Sequence, residues 1–232
     1  MIQVELAQIA IVAPLIVFVF YFLIGSGQFE ATLKEGQKRM FSVLTDFPYE
    51  MMTKRGKNPA LILLVAYFAA TLLTNVSMFV NFYAASSQII GLLILSAFLA
   101  LAYFFFTLRI HTVTASLEKS HLVRFFIMGL GLILISSVNG IIFINLSRGH
   151  DLENLILGLS IGMFVIALAV AVILVNPRLK TWAKLEKVVD EDGASSLKRP
   201  KPFVLAFSEW ITIFLGVISF LLASISNLLI IR

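Results

Sequence analysis

The sequence predicts an all-α membrane protein, a bundle of six transmembrane helices without a separate soluble domain. Of its 232 residues, 59% are hydrophobic and only 13% are charged, and the mean hydropathy is +0.98. Soluble domains are nearer to half apolar and a quarter charged. This composition excludes an ordinary water-soluble globule, a disordered chain and a fibrous repeat. We therefore treat residues 1–232 as a single integral membrane domain.

Six apolar runs are long enough to cross a bilayer. About 20 residues, each rising 1.5 Å, cross a hydrocarbon core of ~30 Å. The first run is the weakest, because it is short and contains Pro14. No Lys or Arg precedes it, which favours a retained anchor over a cleaved signal peptide. The predicted spans are 8–24, 59–82, 88–108, 122–146, 154–175 and 203–231.

The basic residues are distributed very unevenly among the connections between these runs. All but two of the 18 Lys and Arg residues lie in or next to the first, third and fifth connections, the exceptions being Arg148 and Arg232. Basic connections stay in the cytoplasm, so we expect both termini outside. Topology and attraction to anionic lipids then explain the net charge of +5 without a nucleic-acid partner. We expect a multi-pass protein of the plasma (cytoplasmic) membrane.

Two cytoplasmic connections carry apolar residues at mostly helical spacing. In residues 29–52 they interleave with basic residues, and Pro48 would end a helix there. In the fifth connection, Asn176 suits an N-cap and Pro177 a first helical position. Both patterns predict amphipathic helices that lie on the membrane surface. Docking of a cytoplasmic partner is the alternative interpretation.

A short pattern recurs in the second and fourth spans. Residues 75–81 and 139–145 both read N-x-x-x-F-[VI]-N, and each begins a hairpin of the same orientation. Duplicated hairpins occur in transport proteins. A tandem hairpin repeat, 59–108 and 122–175, is therefore one hypothesis, and a chance match between apolar segments is the other.

Polar side chains lie in the outer halves of the even-numbered spans. An amide in hydrocarbon costs several kcal/mol unless it finds a partner. Such groups either bridge neighbouring helices or line a polar vestibule that opens to the outside. The residues in question are Asn75, Ser77, Asn81, Ser136, Asn139, Asn145, Ser226 and Asn227.

Glu209 is the only acidic residue inside a predicted span. An intramembrane carboxylate is a functional hypothesis by default, here for coupling to a proton or a cation. In the alternative, the helix enters the core at Trp210, and Glu209 lies at headgroup level near Lys201 or Arg124. We interpret His121 and Arg124 as parts of an interfacial loop.

Motifs for catalysis and cofactor binding are absent from the sequence. There is no cysteine, no H-E-x-x-H, no G-x-S-x-G and no P-loop. We therefore expect no enzyme, no cofactor and no metal site. The expected partners are the bilayer, with anionic lipids on the cytoplasmic side, and a membrane-protein partner or a second copy of the chain.

Two non-catalytic functions stay open. The first is a small channel- or transporter-type translocation component with an outward-facing polar vestibule, where Asn75, Asn139 and Asn227 would converge on one cavity. The second is a structural or accessory scaffold subunit of a larger membrane complex. It predicts that neighbouring helices satisfy the same groups, and that an apolar groove faces the lipid. The sequence favours the first, because three parallel helices carry polar groups at similar depth.

Overall fold

The computed structural model describes six α-helices, and each overlaps one of the six predicted apolar runs. The described residues are 2–24, 29–32, 38–53, 60–112, 119–181, 184–189 and 195–232. The helices are α1 (Ile2–Ile24), α2 (Ala60–Phe82), α3 (Ser87–Thr112), α4 (Lys119–Ser147), α5 (Glu153–Leu174) and α6 (Val204–Ile230). The all-helical bundle predicted from the sequence is confirmed at this level.

Four of the helices, α3 to α6, are long and apolar enough to cross a membrane. Among the described residues, α1 and α2 contribute shorter apolar stretches, Gln3–Val17 and Phe68–Phe82. The spanning assignment of those two helices and the outside location of both termini stay predictions.

The outer surface of the helices is apolar. On α5, Val165 is 58% exposed and Leu168 is 65% exposed, and on α3 Phe98 is 66% exposed. A water-soluble monomer rarely exposes contiguous apolar surface of this kind. Hydrocarbon solvates it without cost, so the chain is a membrane protein.

Successive helices from α1 to α5 pack against one another, whereas α6 packs against four of them: α1, α2, α4 and α5. The connection before α6 lies against the segment that precedes α2, since the Phe203 N–H donates to the Leu44 carbonyl at 2.7 Å. We call the end of the bundle where α4 and α6 begin the basic end. Helix α6 is therefore central, and a residue on almost any of its faces meets another helix.

The predicted amphipathic helix over residues 29–52 is wrong. The described part of this connection forms a three-stranded antiparallel sheet in the order β2-β1-β3. Its strands are β1 (Phe29–Thr32), β2 (Lys38–Met40) and β3 (Met51–Thr53), and a 3₁₀ turn covers Pro48–Glu50.

Local hydrogen bonds explain this error. The Ser42 N–H donates to Asp46 Oδ2 at 2.7 Å, and the Ser42 carbonyl accepts from the Asp46 N–H at 2.8 Å. Side chains of Ser and Asp that bond the nearby backbone compete with a helix. Phe47 is buried as the spacing suggested, but Leu44 of the same pattern is 41% exposed, and a compact turn rather than a helix places both.

The predicted helix of the fifth connection is also wrong beyond its first turn. A 3₁₀ helix covers Pro177–Thr181, and an antiparallel hairpin of β4 (Glu186–Val189) and β5 (Ser195–Lys198) follows. A helix shorter than about 12 residues is marginal by itself. Pairing Val188 with Ser196 satisfies backbone groups at once, and β-branched valine suits a strand.

Candidate functional site: a polar face on helix α6

One buried face of α6 carries only polar or small residues. Its members recur every three or four residues, which places them on one side of the helix. We call this set the α6 polar face: Glu209, Thr212, Gly216, Ser219, Ala223 and Ser226. With Asn227 beside its last member, the face covers about 27 Å of helix, close to the ~30 Å of a hydrocarbon core. Polar atoms are therefore buried near both ends of a membrane-crossing helix.

Two hydroxyl–hydroxyl contacts join α6 to its neighbours in the middle of the bundle, one from Ser219 of this face and one from the adjacent Ser224. The Ser219 and Ser136 hydroxyl oxygens lie 2.7 Å apart and join α6 to α4. The Thr74 and Ser224 hydroxyl oxygens lie 2.8 Å apart and join α2 to α6. The predicted site residue Ser136 is thus an interhelical contact.

Asn227 organises the end of α6 opposite the basic end. Its Nδ2 donates to Ser77 Oγ at 2.7 Å, and its Oδ1 accepts from Asn81 Nδ2 at 2.8 Å. Three of the predicted site residues therefore form one network between α2 and α6.

A second network joins α2, α3 and α4 through Ser96. Its hydroxyl lies 2.6 Å from Asn139 Oδ1 and 3.2 Å from Asn75 Oδ1. Asn75 Nδ2 also donates to the Thr71 carbonyl of its own helix. Sequence reasoning missed Ser96 as a site residue because it concentrated on the even-numbered spans. The three asparagines that we expected at one cavity are thus divided between two networks.

Corresponding polar residues in the two halves of the apparent repeat do not all make the same kind of hydrogen bond. Asn139 and its counterpart Asn75 both bond across helices. Among the described residues, Asn145 donates to the Ile141 carbonyl of its own helix. Ser160, the counterpart of Ser96, also bonds its own helix, at the Ile156 carbonyl. The tandem repeat stays a prediction.

An apolar groove of about 300 Å³ lies between α2 and α3. Leu72 and Phe79 on its wall are 43% and 46% exposed, so the groove opens on the lipid-facing surface. The remaining lining is also largely apolar, apart from Thr71 and Asn75. This is the kind of groove that the scaffold hypothesis predicts.

At the basic end, Glu209 is paired with His121. Glu209 Oε1 lies 2.6 Å from His121 Nε2, and both side chains are 0% exposed. His121 lies in the first turn of α4, so its assignment to an interfacial loop is wrong. A protein segment covers Glu209, and its alternative placement at headgroup level near Lys201 or Arg124 stays a prediction.

The covering segment is residues 41–50, which we call the cap. Its Phe47 ring meets the His121 ring edge-on, with centroids 5.1 Å apart. The Asp46 carbonyl accepts from Trp210 Nε1 at 2.8 Å. Trp210 is therefore not an exposed interfacial anchor, since it is only 6% exposed beneath the cap.

Arg199 fastens the cap to the chain just before α6. Its two terminal nitrogens donate to the two carboxylate oxygens of Glu50 at 2.6 and 2.7 Å. The guanidinium also stacks on Phe47 and Phe203, with distances of 5.1 and 5.2 Å to the ring centroids. The fork-shaped pairing and the stacking both suit arginine rather than lysine.

Several buried polar atoms have no hydrogen-bond partner among the described residues. At the basic end they include Glu209 Oε2, Thr212 Oγ1 and Arg124 Nη1. Near the opposite end they are Asn81 Oδ1 and Ser226 Oγ. Buried polar groups are nearly always satisfied by protein or by ordered water. These atoms therefore mark positions where water or another hydrogen-bonding species fits.

Metal binding gains no support from the part of the chain that is described. No group of three or more His, Cys, Asp or Glu side chains is gathered there. The expectations of no enzyme, no cofactor and no metal site stay predictions.

Comparison with protein-family models, curated proteins and solved structures finds no match to this chain.

Ser96→Ala is expected to destabilise the bundle by about 1–2 kcal/mol, because it leaves Asn139 Oδ1 buried without its closest donor. The matched control is Ser160→Ala, which removes an equally buried hydroxyl that bonds only its own helix. Denaturation of both variants in mixed micelles measures the difference. If the two variants lost the same free energy of unfolding, the Ser96 network would add no interhelical stability.

Proposed function

We propose that the protein is a non-catalytic translocation component, a small channel or transporter whose path follows the α6 polar face. The observation that carries this proposal is a row of buried polar and small side chains along a central helix, with unpartnered polar atoms near both of its ends. The path replaces the vestibule expected from the sequence, because Asn75 and Asn139 belong to a different network from Asn227.

The unpartnered atoms favour translocation over simple helix association. Polar residues that only join helices satisfy one another, as Ser136 and Ser219 do. Thr212 Oγ1 and Ser226 Oγ are buried on the same face without such partners among the described residues. Leaving a hydroxyl unsatisfied in an apolar environment costs about 1–3 kcal/mol. Water or a transported species that visits these positions would offset that cost.

The proposed orientation places the basic end in the cytoplasm of a plasma-membrane protein. All six helices cross the bilayer, and both termini lie outside. Arg178, Lys180 and Lys184 lie at this end, and all three are exposed. Basic residues at this position follow the positive-inside rule and attract anionic lipids.

Flux into liposomes tests the proposal. We expect the purified protein to carry H⁺, Na⁺, K⁺ or Cl⁻ across the membrane at several times the rate of protein-free liposomes. Thr212→Val and Ser226→Ala remove hydroxyls from the path and should slow this flux, whereas Ser160→Ala lies off the path and should not. The proposal would be contradicted if all four ions crossed at the same rate with and without protein. It would also be contradicted if Thr212→Val and Ser226→Ala left the flux unchanged.

A scaffold or accessory subunit is the second candidate function. Two observations favour it: several of the predicted site residues contact neighbouring helices directly, and the α2–α3 groove opens toward lipid. Native mass spectrometry of gently extracted protein separates the candidates. A stoichiometric membrane-protein partner, with no flux from the isolated chain, would favour the scaffold. A chain that extracts alone or as a defined homo-oligomer, and carries flux, would favour translocation.

A further inference from the structure

We infer that the species bound at the buried His121–Glu209 pair is a proton rather than a metal cation. The inference rests on the proposed function, since it names the substrate of the same path. It is carried by the geometry of the pair, a fixed positive charge close to it and the apolar cover over it.

The geometry of the pair leaves few ligands for a metal. Glu209 Oε1 and His121 Nε2 lie 2.6 Å apart and are joined by a hydrogen bond, which holds one proton between them. Only Oε2 of the carboxylate is without a described partner. Ca²⁺ requires about six to eight oxygen ligands and Mg²⁺ about six. One carboxylate oxygen, even together with the His121 ring, cannot form such a shell, but the oxygen can accept a proton.

One fixed positive charge close to the pair, on α4, also disfavours a metal. Arg124 lies one turn further along α4 and carries a permanent positive charge, with Nη1 buried and without a described partner. Its positive charge lies about one helical turn from His121 and would disfavour a further cation there. On the cap side, Arg199 pairs with Asp46 and Glu50 at 3.9 and 2.6 Å, so one positive charge faces two carboxylates there.

The cover over the pair excludes a hydrated ion. Phe47 is 0% exposed and Phe203 is 1% exposed, and their rings lie 5.6 Å apart at the basic end. A proton does not need an open pore, because it moves between hydrogen-bonded groups and single waters. Thr212 Oγ1 is the next polar atom along the α6 polar face. Binding adds one proton to the pair, and release returns it to water, with no change of oxidation state.

Infrared difference spectroscopy tests the site without requiring transport. Purified wild-type protein, titrated between about pH 4 and pH 10, should show a carboxyl or imidazole signal that is lost in Glu209→Gln and altered in His121→Asn. Glu186→Gln, the same change at an exposed carboxyl of β4, should keep the signal. If Glu209→Gln does not fold, His121→Asn supplies the comparison. Wild-type and pair-variant spectra that titrate identically would overturn the inference.

Liposome flux then separates this inference from the proposed function. Proton flux that is lost in Glu209→Gln and kept in Glu186→Gln supports both. Flux of Na⁺, K⁺ or Cl⁻ with no Glu209-dependent signal would overturn the proton site and leave translocation standing. A Glu209-dependent signal without any flux would overturn translocation and leave a buried proton-binding site.

Discussion

Phe47→Ala is expected to lower the free energy of unfolding by about 3–5 kcal/mol, the usual cost of truncating a buried phenylalanine. The Phe47 ring is 0% exposed and fills the space between His121, Phe203 and Arg199. Neighbouring rings can relax only partly, so a cavity would open directly above the buried His–Glu pair. Chemical denaturation in mixed micelles measures the loss.

Leu44→Ala is the matched control, because Leu44 lies in the same cap but is 41% exposed. Its truncation should change stability by no more than about 0.5 kcal/mol. Hydrogen exchange adds a local readout: backbone amides of residues 41–50 should exchange faster in Phe47→Ala than in Leu44→Ala. If both variants lose the same stability, the cap is not held by burial of the Phe47 ring.

The sequence predicts the helices well because hydrocarbon allows little else. In a bilayer every backbone polar group needs an internal partner, so a long apolar run becomes a helix. The predicted span 122–146 corresponds to α4, Lys119–Ser147, and the predicted span 154–175 corresponds to α5, Glu153–Leu174. Their boundaries shifted by only one to three residues, because charged and polar residues mark the ends of apolar runs.

The cap could not be predicted in the same way. Its fold depends on local bonds between Ser42 and Asp46 and on a distant arginine, 149 residues beyond Glu50. Apolar spacing in residues 29–52 marks Phe47 correctly as buried, but it predicts neither the backbone conformation nor the exposure of Leu44. At an interface, water can satisfy backbone groups, so strands and turns compete with helices there.

The sequence also could not predict which polar side chains pair with one another in the site. Glu209 stood out because a carboxylate in an apolar run is costly, but its partner lies 88 residues away on α4. Which polar groups meet depends on the rotation of each helix, and that rotation is set by packing of the whole bundle. Asn75 and Ser77 are two residues apart, yet they bond on different sides of α2.

Arg199→Ala is expected to destabilise the protein by about 3–5 kcal/mol, because it leaves Glu50 and Asp46 without their positive partner in a mostly buried site. Arg199 is only 16% exposed, so solvent screens its pairing with Glu50 weakly. Arg199→Lys should fall between wild type and alanine, since it keeps the charge but loses the fork and the stacking. Lys201→Ala, at an exposed position two residues on, is the matched control and should be nearly neutral.

A double-mutant cycle shows what the Arg199–Glu50 contact itself contributes. Denaturation of Arg199→Ala, Glu50→Gln and the double variant should give a coupling energy of about 1.5–3 kcal/mol, the range of hydrogen bonds to charged groups. Because Arg199 also stacks on Phe47 and Phe203, part of its effect should persist when Glu50 is already changed. A large loss in Arg199→Ala with no coupling to Glu50 would mean that stacking alone fastens the cap. Losses no larger than that of Lys201→Ala would mean that the cap is held without Arg199, and that opening it does not require breaking this ion pair.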